Sequence, residues 1–152
     1  MDNYCTRQSC DNPSVPSRLP RSQMPQFTRS SVKRLDKVMR EAGYTVRDTR
    51  MSPRILRPSQ TEISKSTARG ILEKWGKKIK SKARVQPLVV SSDGSILDGH
   101  HRWLALTFAM DQRVLPATYK APVHAYSAPG NVTLRLAKTI KTPRHRINVK
   151  KA

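Results

Sequence analysis

The chain has 152 residues, with thirty Lys and Arg against ten Asp and Glu, a formal charge of +20, and 5% aromatic residues. That length suits one domain with tails rather than two independent cores, the scarcity of aromatics excludes a large aromatic core, and the charge calls for an anionic partner. No run of eighteen apolar residues occurs, the start MDNYCTRQSC lacks the basic-then-apolar order of a signal peptide, and Cys5 and Cys10 alone can build neither a disulfide scaffold nor a four-ligand zinc site, so neither secretion nor a membrane span is expected.

Along the chain, residues 1–29 carry Pro13, Pro16, Pro20 and Pro25 among polar residues and read as an extended Pro-rich arm that buries too little apolar surface to fold alone. Residues 30–50 read as a basic amphipathic helix and connector. Ser30 or Ser31 can cap it, Val32, Leu35, Val38, Met39 and Ala42 recur at helical spacing, and Gly43 supplies a stop. Short extended pieces are predicted at 45–46 and 55–56, where Pro53 and Pro58 exclude a continuous helix. Ser64 or Ser66 can open a second helix with Ala68, Ile71, Leu72, Trp75 and Ile79 on its apolar stripe, and Gly76 argues for a break in it.

From Lys65 to Arg84 that helix carries eight basic residues and one acid, Glu73. A solvated helix face is the ordinary reading of an isolated charge run, but eight like charges repel one another without an anionic surface to meet. Lys74, Lys77, Lys78, Lys80, Lys82 and Arg84 are therefore the candidate nucleic-acid-binding residues. Residues 91–130, by contrast, balance three basic against three acidic groups, and the last segment, 131–152, has seven basic and no acidic ones. The neutral stretch is the expected heart of the fold, with a basic tail at 141–152.

Within it, 87–90 and 95–97 flank SSDG, a strand, turn, strand signal. Asp98 and Gly99 end the second strand directly before Trp103, Leu104, Leu106, Thr107 and Met110 at helical spacing; two extended segments at 114–119 and 123–126 and a short helix at 132–140 follow. A strand running through Gly99 into a helix that starts His100, His101, Arg102 is the geometry of an anion site. Helix N-termini carry partial positive charge, glycine allows close backbone approach, and Arg102 offers a planar fork for phosphate oxygens, although an ordinary strand-to-helix turn looks the same in sequence. Asp98 reads either as a helix cap or as a general base or magnesium ligand, and Glu62 either as one half of an ion pair or as a base in phosphoryl transfer. His100 and His101 are adjacent and point about 100° apart on a helix, so no metal site is expected from them. Trp75 and Trp103 fall at helical core positions.

The string PLVVSSDGSILDGHHRWLAL, with LRPSQTEI upstream, resembles the ParB N-terminal and sulfiredoxin superfamily over residues 54–126. The resemblance implies a small α+β domain across 51–140, with a mixed sheet of short strands, flanking helices and extended basic tails. It also implies a nucleotide or phosphate site, with magnesium as a companion ion, at Gly99, His100, His101 and Arg102, with Gln60 and Glu62 entering from the facing segment. Sulfiredoxin-like members carry a catalytic cysteine between that glycine and histidine. His100 stands there in this chain, so sulfinic acid reduction is not expected; nor does a helix-turn-helix segment follow the core, as centromere-specific partitioning would require. Three functions are carried forward. The first is sequence-nonspecific nucleic-acid binding in the cytoplasm. The second is structural assembly in a phage virion, with the arm docked on other subunits. The third is a ParB-like nuclease, nucleotide hydrolase or kinase using Glu62 and Asp98.

Overall fold

A computed structural model describes residues 27–60 and 63–140, with backbone alone for 83–85. Residues 1–26 of the arm, the tail at 141–152 and Glu62 lie outside the described residues.

Helix α1, Arg29–Glu41, starts two or three residues earlier than its serines suggest. Thr28 is the cap: its hydroxyl accepts from the Ser31 N–H at 3.1 Å, and the Ser31 hydroxyl accepts from the Thr28 N–H at 2.7 Å. This is a reciprocal capping box, and Phe27 just before it is buried with Val32 in one cluster, as a hydrophobic staple would place them. Phe27 thus belongs to the packed domain and not to the arm. At the other end Gly43 takes φ 92 and stops the helix.

The described strands form a five-stranded sheet in the order β1-β5-β3-β4-β2, with β1 Val46–Met51, β2 Arg57–Pro58, β3 Leu88–Ser91, β4 Ser95–Asp98 and β5 Ala121–Tyr126. It is mixed. The β1/β5 and β3/β4 pairs are antiparallel, whereas β3/β5 and β2/β4 are parallel. Helices cover both faces, so β3 is a continuous buried run instead of an alternating one. Leu88, Val90 and Ile96 pack on one side with helices α2, Lys65–Trp75, and α4, His100–Asp111. Val89, Leu97 and Tyr126 pack on the other side with α1 and α5, Gly130–Lys138. The protein is therefore a small α+β domain with a mixed sheet.

Two local readings change. Ile55 belongs to a 3-10 turn, Pro53–Ile55, whose Pro53 carbonyl accepts from the Trp103 indole N–H at 2.8 Å. Residues 114–119 are not a strand. Arg113 turns the chain with a left-handed φ of 60, the Val114 and Leu115 N–H groups both return to the Ala109 carbonyl, and Leu115 and Tyr119 are buried plugs under the end of α4. Pro116, which has no N–H to donate, sits in the middle of what would have been a ladder. The break at Gly76 is real: its backbone, at φ 49 and ψ −128, ends α2, and a 3-10 turn leads into α3, Ile79–Val85.

Two polar clusters lock the layers together. In the SSDG turn, Asp93 accepts from the Ser91 hydroxyl at 2.7 Å, the Ser95 N–H at 3.0 Å and the Gly130 N–H at 3.0 Å, which seats α5 on the hairpin. Burial alone would raise the pKa of Asp93, but these hydrogen bonds outweigh it and hold the carboxyl below its ordinary value. Under α1, His124 of β5 sits between Asp36 of α1, 2.8 Å from Nε2, and Asp48 of β1, 2.7 Å from Nδ1. The Tyr126 hydroxyl also donates to Asp36, at 2.7 Å.

Burial disfavours the imidazolium of His124, yet the two carboxylates prevail and raise its pKa above the ordinary 6.5. A charged ring donates from both nitrogens; a neutral one can donate from one. The stabilisation is accordingly complete below about pH 6.5 and is lost as pH rises through the folded-state pKa. Thermal melts of wild type should show this loss on the alkaline side, and His124→Gln should lack it. An identical pH profile in the variant would show that the cluster does not couple α1 to the sheet through charge.

Candidate functional site

The start of α4 is built from the hairpin. Gly99 is its cap, in the left-handed region at φ 96 and ψ 26, and no side chain caps the first turn. Asp98 is thus not the cap; its Oδ2 lies 3.1 Å from an Arg102 guanidinium nitrogen, and the other terminal nitrogen of Arg102 donates to the Gln86 carbonyl at 2.6 Å. The histidines turn toward the segment that follows β2. His100, buried at 5% exposure, accepts from the Ser59 N–H at 3.1 Å through Nε2, and His101 accepts from the Ser64 N–H at 3.0 Å through Nε2. Nε2 of each ring is thus engaged by a backbone N–H. Gln60, buried, lies between those two anchor points, whereas Glu62 is outside the described residues.

Ser59 and Ser64 are therefore brought to the helix start, but by contacts that serve the chain itself. A phosphate would need Arg102 released from Gln86 and Asp98, and Nε2 of both imidazoles is already engaged by the backbone. As arranged, the described side chains of the helix start are engaged within the chain, and no catalytic step is derived through a nucleotide or its magnesium. A different outcome follows for Arg102→Ala than a phosphate fork would give. Loss of a half-buried pair and a charged hydrogen bond should cost about 1–3 kcal/mol in urea unfolding. Titration calorimetry of wild type with ATP or CTP and magnesium supplies the converse check, because an affinity that Arg102→Ala abolishes without loss of stability would restore the phosphate role.

The basic residues behave differently. Lys74 lies in the last turn of α2, Lys77 and Lys78 lie in the 3-10 turn, and Lys80 and Lys82 lie in α3; all five are exposed. Among the described residues none of the five is ion-paired, although Arg54, Arg102 and Lys37 each have an acidic partner. Arg84 falls in α3 as well. Trp103 is fully buried, which excludes it from stacking on a base; Trp75 is half-buried against the core.

Residues that sequence reading passed over include the His124 cluster and an open groove beside the lysines. The groove is lined by Arg69, Leu72, Glu73, Gly76, Lys77, Gln112 and Val114. Exposed Val114, set in a predicted strand, was the available signal. Family models, curated proteins and solved structures offer no match to this chain. Among the described residues no helix is long and apolar enough to cross a membrane, and no group of three or more His, Cys, Asp or Glu side chains is gathered to hold a metal ion.

Proposed function

We propose that the protein binds nucleic acid without reading duplex sequence, through the lysines between 74 and 82. One observation carries this reading: five exposed lysines within nine residues, none ion-paired among the described residues. Such a cluster stays repulsive until an anionic surface neutralises it, and a phosphate backbone does so with release of condensed counterions. The order hairpin, Gly99, helix, with Ser59 and Ser64 against the helix start, supports reading the core as ParB-like. In this proposal that core is the scaffold and the lysine surface is where the contacts are made.

The test is fluorescence anisotropy on labelled duplexes of unrelated sequence at about 50 mM salt. Backbone contacts position a protein without specifying bases, so affinities should agree within about three-fold. A preference of about a hundred-fold for one duplex would overturn the nonspecific reading. No binding to any duplex at that salt would overturn the proposal as a whole.

A further inference from the structure

Where α2 stops at Gly76, its exposed side faces the turn after α4, and a groove of about 480 Å³ lies between them. That volume falls among small-ligand sites, which run from about 300 to about 1,000 Å³. Leu72 and Val114 give apolar walls, and Val114 is 52% exposed. Its position is not accidental to the backbone: the left-handed Arg113 turns it outward and its N–H is tied to the Ala109 carbonyl at 2.8 Å. Arg69, on the α2 side, has its guanidinium carbon 5.6 Å from the centre of the Phe108 ring, so a planar cation is braced against an aromatic at the groove wall.

The polar groups are arranged unevenly in charge. Arg69 and Lys77 line the groove, exposed Arg113 and Lys74 lie beside it in sequence, and Glu73 is the one acid among the lining residues. A phosphate seated in the groove would meet the Glu73 carboxylate, and so would the side chains of an acidic peptide. An uncharged, flat, partly polar group would not be repelled by it. We propose that the groove takes one unpaired base of a single-stranded nucleic acid whose backbone follows the lysines at 74–82, and that it prefers a base carrying an exocyclic amino group.

This rests on the nucleic-acid reading and gives it a strand preference. Glu73 can only accept hydrogen bonds when ionised, which suits the amino group of cytosine or adenine. Thymine and uracil put a carbonyl where that amine would be. Gln112 offers both a donor and an acceptor for the neighbouring edge. Leu72, Val114 and the Arg69 plane take the ring faces, as guanidinium planes and apolar side chains do in single-strand recognition. A duplex hides those base edges in its own pairing and can use the lysines but not the groove.

The experiment uses the full chain and anisotropy with labelled oligo-dC, oligo-dT and a mixed duplex of equal length, at one salt concentration. Oligo-dC should bind about ten-fold tighter than oligo-dT and the duplex. Val114→Asp, at an exposed position, should bring oligo-dC down to the duplex level while leaving duplex affinity within about three-fold. Glu73→Ala should erase the preference for dC over dT without weakening dT, because it removes a negative charge; circular dichroism melts confirm that both variants fold. Equal affinity for all three oligonucleotides, unmoved by Val114→Asp, would overturn the groove and leave the lysine surface standing. Failure of every oligonucleotide and duplex to bind would remove both. Weakened binding of poly-glutamate by Val114→Asp, with oligonucleotides unaffected, would assign the groove to an acidic peptide and overturn the base.

Discussion

Raising salt from about 50 to about 200 mM should lower the affinity for duplex DNA by about 10³- to 10⁵-fold, the loss expected when roughly six to ten phosphates are neutralised. Five exposed lysines at 74–82 approach that number on their own, and exposed Arg113 extends the surface. Each contact contributes about 0.9 to the slope of log affinity against log salt. Replacing Lys74, Lys77, Lys78 and Lys80 with Gln should therefore flatten the slope by about three to four and weaken every duplex alike. The buried members of the same stretch are Ala68 and Ile79, which the substitutions leave in place, so the fold should persist. A slope unchanged in the variant would move the contacts elsewhere on the chain. Affinity constant over the whole salt range would mean that charge is not what binds.

That surface was legible in the sequence because charge density needs no tertiary information. So were the hairpin at 88–98 and the helix after Gly99, where turn chemistry and helical spacing agree within a few residues. The failures have a common physical origin in contacts between distant segments. The 114–119 run is apolar like a strand, but its apolar residues are plugs under α4, and burial of that kind has no period. Thr28 outcompetes Ser30 and Ser31 as a cap because Phe27, outside the helical pattern, is anchored in the core. The strand order could not be read either, since β5 lies between β1 and β3 through registers such as Thr49 with Val123 and Leu88 with Val123.

At the candidate sites the same distinction applies. The residues of the helix start were all identifiable, yet their roles depend on the Gln86 carbonyl and the Ser59 and Ser64 N–H groups, which no local pattern points to. The His124 cluster draws Asp36, Asp48 and Tyr126 from three separate elements. A histidine alternating along a strand looks like a solvent-facing residue until α1 is laid across it.

Gly99→Ala should unfold the protein far more readily than wild type, by about 2–6 kcal/mol in urea titrations. Two costs combine. The backbone at φ 96 lies in the left-handed region, where a residue with a side chain is strained by about 1–3 kcal/mol. A methyl group there would also lie 2.6 Å from Leu88 Cδ2 and 3.0 Å from a terminal nitrogen of Arg102. Leu88 is 2% exposed and packed in the main cluster, so it cannot swing into solvent, and such overpacking costs about 1–3 kcal/mol. Against a total stability of about 5–15 kcal/mol for a domain of this kind, that is a large fraction. The variant also separates the two places where phosphate has been considered. If the lysine surface does the binding, the fraction of Gly99→Ala that remains folded should hold duplex DNA as tightly as wild type. If the helix start holds phosphate, affinity per folded molecule should drop with stability. A stability loss below about 1 kcal/mol would instead show that Gly99 is not confined between Leu88 and Arg102, and would reopen the helix start to a ligand.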